Sequence, residues 1–167
     1  SYALKRVYYS AFSPIPDAPT TLQAQHPPLL REHRLYQSDW LMRFYGFDHS
    51  EVTATEGQEA GMLPLDVDPK LGWALRNRAF FPVDLNRDTR ERLLRVPGLG
   101  TKTVERLLKV RRWQSIRLED LVSLRAGVKR AMPFITCVGD VPKNSDTGSD
   151  VLRSRFAIPG EQLALAL

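Results

Sequence analysis

The residues with the clearest chemical potential lie between Leu93 and Leu108, where two short amphipathic segments flank a Pro-Gly-Leu-Gly turn at 97–100. Pro97 has no N–H and a fixed φ, so it ends the first segment, while the glycines allow conformations forbidden to other residues. A helix that starts at once has unpaired N–H groups and a positive dipole end. Lys102 adds a full charge there. The pattern predicts a hairpin of two helices whose amides bind phosphate.

Apolar residues on both sides of this turn have helical spacing, and Leu99 is the residue expected to pack between the two helices. Upstream, we expect Asp88 and Glu91 to form a capping box for the first helix. The alternative interpretation is an ordinary corner between packed helices that binds nothing.

Charge favours the binding interpretation. Residues 86–130 carry thirteen Lys and Arg against five Asp and Glu, a net charge of +8, whereas the whole chain has +5. The basic balance therefore belongs to the hairpin region, and a clustered basic face is typical of a protein with a polyanionic partner. A solvated helix surface is the alternative.

A weaker copy of the pattern follows at 116–131, where Gly127 separates two helical segments but the Pro-Gly pair is missing. Residues 93–108 resemble the helix-hairpin-helix motif, and the lead-in at 83–92 resembles hairpins of the bacterial competence DNA receptor. The resemblance implies binding of duplex DNA without sequence readout, with the second copy paired to the first about a pseudo-twofold axis. The expected DNA-binding residues are Pro97, Gly98, Leu99, Gly100, Thr101, Lys102, Arg106, Lys109, Arg111, Arg112, Gly127, Lys129 and Arg130.

The composition of the chain excludes several classes of protein and of binding site. The chain has 167 residues and 43% hydrophobic content, with no apolar stretch long enough to span a bilayer and no signal segment. Its single cysteine, Cys137, excludes a disulfide framework and a cysteine-built metal or iron–sulfur site within this chain. The three histidines lack the spacing of a helical zinc site, so we predict no metal ligands, assign no catalytic residue, and expect a cytoplasmic protein without membrane contact.

Two further helices are expected before the hairpin. The first is started by Pro28 and stopped by Gly46, and its rings at Tyr36, Trp40, Phe44 and Phe47 are expected to form a core stripe. The second has an Asp-Pro start at 68–69 and runs to about residue 78.

Taken together, residues 7 to about 135 resemble the C-terminal portion of bacterial radical SAM proteins of DNA modification and repair. The matching stretches lie at 7–14, 28–47, 68–75, 81–86 and 93–100. The resemblance implies that 7–12 is a late strand of a radical SAM barrel against which the 28–47 helix packs. It also implies S-adenosylmethionine, a four-iron four-sulfur cluster and a uracil-DNA-glycosylase-like partner for a longer parent protein. This chain lacks the three-cysteine cluster signature, so it cannot perform radical chemistry alone.

The tail has a separate pattern. Residues 139–150 are rich in Gly, Pro, Ser, Asn and Asp and predict a flexible linker. The last six residues resemble the peptide by which bacterial repair proteins bind the sliding clamp, with Gln162, Leu163, Leu165 and Leu167 as contact residues. An apolar terminus that closes a core is the alternative.

The sequence thus predicts a mainly α protein in three parts: the edge of a radical SAM barrel with connecting helices (1–82), a tandem helix-hairpin-helix module (83–136) and a flexible tail (137–167). We interpret it as the C-terminal part of a longer DNA modification or repair enzyme, in which it binds duplex DNA. The alternative function is a protein interaction module for the clamp or a glycosylase-like partner, with no direct DNA contact.

Overall fold

The computed structural model describes residues 7–9, 29–53, 61–124, 127–139 and 148–158. These residues form a mainly helical fold, which confirms the predicted class. In chain order the elements are α1 (Leu29–Tyr45), α2 (His49–Val52), α3 (Pro69–Arg76), a 3-10 turn (Arg78–Phe80), β1 (Val83–Asp84), α4 (Arg90–Arg95), α5 (Thr101–Val110), α6 (Leu118–Ser123), α7 (Val128–Ala131), a second 3-10 turn (Met132–Phe134), β2 (Ile135–Thr136) and α8 (Ser149–Phe156). No helix within the described ranges is both long and apolar enough to cross a membrane.

Helix α3 is the centre of the fold. Asp68 caps it by accepting a hydrogen bond from the Leu71 N–H at 3.0 Å, and Pro69 occupies the first turn, as the sequence predicts. Every residue from 69 to 75 is buried. Buried hydrophobic residues of α1, α3, α4 and α5 belong to one core cluster.

Helix α1 ends as predicted, because Gly46 has φ +70° directly after it. The predicted core stripe is wrong, however. Tyr36, Trp40 and Phe44 are exposed, and only Phe47 of the four rings is buried.

The face of α1 that enters the core carries polar residues instead. Arg34, Ser38 and Leu41 are its buried residues. The Arg34 guanidinium donates to the Leu65 carbonyl at 2.9 Å, which satisfies a backbone acceptor in the loop that leads to α3. The contact gives a partner to a partly buried backbone acceptor, and it accompanies a polar residue on the core-facing side of α1.

Short parallel strands close the segment that contains the predicted hairpins. Val83 pairs with Ile135 and Asp84 with Thr136, and the Leu85 N–H donates to the Thr136 carbonyl at 3.0 Å. The chain therefore enters and leaves the segment 83–136 at neighbouring points.

The cap of α4 differs from the predicted Asp88–Glu91 box. Thr89 is the N-cap and accepts from the Arg92 N–H. The Asp88 carboxylate instead accepts from the N–H of Asp84, the last residue of β1, at 2.7 Å. Asp88 thus fixes the turn before the helix, and the hydroxyl one residue later takes the capping role.

Part of the predicted flexible tail is folded. Residues 149–156 form α8, whose Leu152 is fully buried, and Arg153 pairs with Asp66 at 2.6 Å. The Ser149 hydroxyl donates to the Leu75 carbonyl, which fastens α8 to α3. The prediction of flexibility from composition is wrong for these residues, because one apolar residue per turn suffices to dock a short helix.

The predicted strand at 7–12 is described only at residues 7–9, which are not in a strand. Tyr9 lies against α1 there: its N–H donates to the Tyr36 hydroxyl, and its carbonyl accepts from that hydroxyl.

Candidate functional site

The predicted hairpin corresponds to a tight turn between α4 and α5, which we call the first turn (Val96–Gly100). Pro97 and Leu99 are buried, and the Leu99 N–H donates to the Val96 carbonyl at 3.2 Å. Gly98 has φ +83°, a conformation that residues with a Cβ rarely adopt. Gly100 then serves as the N-cap of α5, and its carbonyl accepts from the Val104 N–H.

This geometry leaves a row of backbone donors without partners. Within the part of the chain that the structure describes, no hydrogen bond uses the N–H of Gly98 or Gly100, or those of residues 101–103 in the first turn of α5. Lys102 is exposed beside them. Neighbouring amides, the positive end of a ten-residue helix and an ammonium group together suit an oxyanion such as phosphate.

Gly98 is also the contact point with the second predicted hairpin. Its carbonyl accepts from the Gly127 N–H at 3.0 Å. A Cβ built on Gly98 would lie 2.5 Å from the Gly127 carbonyl oxygen. The two turns therefore meet backbone to backbone, and only glycine at 98 permits that approach.

The second turn, which we define as Leu124–Gly127, is described only at its two ends. Gly127 precedes α7 as Gly100 precedes α5, but its N–H is bonded to Gly98 and is not available to a phosphate. α7 has four residues, too few for a substantial dipole. Of the predicted site residues in this copy, Gly127 holds the first turn in place, and Lys129 is exposed.

Lys70 is a member of the site that the sequence did not reveal. Its side chain is 8% exposed, and its ammonium donates to the Leu99 carbonyl at 2.6 Å and lies 4.6 Å from the Tyr45 ring centre. Burial lowers the pKa of Lys70 from 10.5 to about 7, although the nearby Asp68 carboxylate opposes the shift. No motif marks this lysine, because it lies thirty residues upstream on another helix.

The hydrogen bond from Lys70 to the Leu99 carbonyl affects the next backbone donor, the Gly100 N–H. The Leu99 carbonyl and the Gly100 N–H belong to the same peptide group. A cation at the carbonyl polarises that group and strengthens the Gly100 N–H as a donor. The Lys70 hydrogen bond therefore fixes the centre of the first turn, and the protonated form of Lys70 strengthens the Gly100 donor.

The predicted basic track is only partly free. Exposed basic residues that make neither an ion pair nor a side-chain hydrogen bond to any described residue include Lys102, Arg106, Lys109, Arg112 and Lys129. Lys102, Arg106 and Lys109 follow one face of α5, which leads away from the first turn.

Other basic residues of the segment serve the fold. The Arg111 guanidinium donates to the Asp88 carbonyl at 2.7 Å, and Arg130 pairs with Asp68 at 2.9 Å. Arg95 pairs with Glu51, donates to the Gly46 carbonyl and lies over the Phe47 ring. The net charge of the segment thus overstates its free positive charge.

A groove of about 480 Å³ runs from the first turn to the exposed aromatic face of α1. Tyr45 and Lys70 line it beside Gly100, and Tyr36 and Trp40 line it on the α1 side. Trp40 is 57% exposed and its ring centre lies 4.3 Å from that of Phe44. We call this feature the α1 groove.

The residues of this chain do not fit the implied iron–sulfur cluster, because Cys137 is the single cysteine of the sequence. In the described ranges no group of three or more His, Cys, Asp or Glu side chains could hold a metal ion. The clamp-peptide residues Gln162, Leu163, Leu165 and Leu167 lie outside the described residues.

Comparisons with family models, with curated proteins and with solved structures found no match to this chain. Its function must therefore be argued from the first turn, the basic face of α5 and their surroundings.

Proposed function

We propose that this chain binds duplex DNA without reading its sequence, through a tandem helix-hairpin-helix module in which α4 and α5 form the first hairpin and α6 and α7 the second. The observation that carries the proposal is the row of unpartnered amides at Gly98, Gly100 and the first turn of α5. Backbone amides bind phosphate oxygens irrespective of the base attached, so they give affinity and position but little specificity.

The surroundings of the first turn support a phosphate ligand over a neutral one. Lys102, Arg106 and Lys109 extend the positive charge along α5 for about two helical turns. Successive phosphates of one DNA strand would meet this face.

The resemblance to radical SAM proteins of DNA modification and repair extends the proposal. In a longer parent enzyme, this chain would hold the duplex while chemistry took place elsewhere, because it has no cluster ligands of its own. A glycosylase-like protein and the sliding clamp would be further partners. The second candidate function is a protein interaction module, which the exposed apolar rings of Tyr36, Trp40 and Phe44 favour.

Equilibrium binding to two duplexes of unrelated sequence, measured by fluorescence anisotropy at several salt concentrations, tests DNA binding. We expect similar dissociation constants for the two sequences and a steep loss of affinity with salt. Lys102→Glu should weaken binding to both duplexes about tenfold and reduce the slope of log K against log salt by about one.

Arg155→Glu on α8 is the matched control, since it makes the same change in net charge at an exposed position away from the first turn. It should leave the slope unchanged. Equal effects of the two variants would contradict a localised phosphate site, and an absence of binding to either duplex would favour the protein interaction module.

A further inference from the structure

The α1 groove joins two kinds of recognition chemistry. At one end lie the first turn, the Lys70 side chain and the Arg130 guanidinium, which is paired with the Asp68 carboxylate that also lines the groove, and at the other end lies the ring of Trp40. A ligand that fills it would carry an anionic group and a planar ring a few ångströms apart. A nucleotide has this composition.

Trp40 is unusual for a residue on a folded surface. More than half of its side chain is exposed, and the neighbouring Phe44 ring supports it at 4.3 Å, with the planes inclined by 48°. Large exposed rings beside a site for phosphate are typical of surfaces on which unpaired bases stack, because every base has an apolar face.

Tyr36 shows why Trp40 is the more available of the two rings. The Tyr36 hydroxyl is bonded to the Tyr9 backbone, and the Tyr9 ring lies 5.1 Å away in an edge-to-face arrangement. Tyr36 is therefore held as a wall of the groove, whereas Trp40 lines the groove and is 57% exposed.

Gln37 supplies a polar group with a defined orientation. Its amide oxygen accepts from the Arg34 guanidinium at 2.8 Å, and arginine has no acceptor, so the oxygen must face Arg34. The amide NH2 of Gln37 is thereby left as a donor at the groove, where a base offers carbonyl and ring-nitrogen acceptors.

From this arrangement we propose that the α1 groove binds one unpaired nucleotide of the DNA held at the first turn, with the base on the Trp40 ring and its phosphate toward Gly100. The inference rests on the proposed DNA binding and deepens it. A fully paired duplex presents no free base face, so the groove gives the protein a preference for DNA that contains an unpaired base.

Three labelled duplexes of the same sequence test the inference: one fully paired, one with a single extra thymidine in the middle, and one with an abasic nucleotide in place of that thymidine. We expect the full chain to bind the duplex with the unpaired thymidine about tenfold more tightly than the other two. The abasic duplex separates recognition of the base from recognition of a flexible backbone.

Trp40→Ala should remove the preference for the unpaired thymidine and leave affinity for the paired duplex unchanged, whereas Trp40→Phe, which keeps a ring, should retain most of the preference. Trp113→Ala is the matched control, since Trp113 is 90% exposed and does not line the groove. The melting temperature of each variant verifies that it is folded.

Equal affinity of the wild-type chain for all three duplexes would overturn the groove inference while the proposed DNA binding stood. Retention of the preference by a folded Trp40→Ala variant would overturn it too. Failure to bind any duplex would overturn both the proposed function and this inference.

Discussion

The first and second turns of the molecule look alike in sequence but use their backbones differently. Gly100 and Gly127 each precede a helix, and each is followed two residues later by a lysine, Lys102 or Lys129. At the first turn the N–H groups of Gly98 and Gly100 have no partner among the described residues, whereas the Gly127 N–H is bonded to the Gly98 carbonyl.

The difference is one of available donors. A glycine-containing turn can present its amides to a ligand or use them to hold a neighbouring turn, but one N–H cannot do both well. The first turn therefore keeps backbone donors free for a ligand, and the second turn uses the Gly127 N–H to fix the conformation of the first. Variants at the contact between the two turns test this difference most directly.

Gly98→Ala should have the largest effect. The new Cβ would lie 2.5 Å from the Gly127 carbonyl oxygen at a backbone φ of +83°, so either the turn strains or the contact opens. We expect the free energy of unfolding in urea to fall by about 3 kcal/mol.

Gly46→Ala is the control for the backbone conformation alone, because Gly46 has φ +70° but nothing within 4 Å of a built Cβ. It should cost about 1 kcal/mol. Equal losses for the two variants would show that the turns do not depend on close contact. Gly100→Ala should cost less, since Gly100 has negative φ and its Cβ would meet only the Tyr45 hydroxyl, at 3.8 Å.

Lys70 connects the stability of the first turn to pH. Burial lowers its pKa to about 7, against 10.5 in an exposed lysine, so between these values the unfolded chain binds more protons than the folded chain. The free energy of unfolding should therefore rise with pH, by about 2 kcal/mol between pH 7 and 9 from this group.

Lys70→Met lacks the titrating group, so the difference in unfolding free energy between wild type and variant should change over that range. Urea unfolding of both proteins at pH 7, 8 and 9 measures it. If the difference in unfolding free energy between the two proteins did not change with pH, Lys70 would keep its ordinary pKa in the folded chain. The buried position beside Leu99 would then not favour the neutral amine.

The equivalent lysines provide the sharpest comparison at the level of binding. Lys102→Glu should weaken binding of paired duplex DNA about tenfold, and Lys129→Glu only about threefold, because the Gly100 N–H near Lys102 has no partner among the described residues, whereas the Gly127 N–H near Lys129 is bonded to the Gly98 carbonyl. Titrations of both variants with paired duplex DNA at one fixed salt concentration measure the two losses of affinity. Equal losses would mean that both turns contact phosphate and that Gly127 reorganises on binding.

The C-terminal peptide should have no effect on either turn. Replacement of Gln162, Leu163 and Leu165 by alanine should abolish binding to a bacterial sliding clamp without changing DNA affinity or melting temperature. A clear fall in melting temperature would instead assign Leu163 and Leu165 to a core, because truncation of buried leucines costs about 2 to 5 kcal/mol.

Local signals in the sequence located the helix ends and the first turn, because these depend on residues that are close in the chain. Asp68 with Pro69 starts α3, and Gly46 ends α1. The features that the sequence did not predict depend on contacts between residues far apart in the chain. Arg34 turns the polar face of α1 inward by bonding the Leu65 carbonyl, and Lys70 reaches the Leu99 carbonyl across twenty-nine positions.

The same distinction explains the tail and the basic track. Composition suggested that residues near 149 would be flexible, yet Ser149 and Arg153 find partners on α3 and at Asp66. Likewise, charge counting could not show that Arg95 and Arg111 are bonded to backbone carbonyls inside the fold.

The pairing of β1 with β2 has a mechanical consequence. Because the strands are parallel, a force that pulls residue 82 away from residue 137 acts along the Val83–Ile135 register and loads its hydrogen bonds in shear. Bonds loaded in shear must break together, whereas bonds that are peeled apart break one after another. Single-molecule pulling between positions 82 and 137 would measure the force at which the two strands separate.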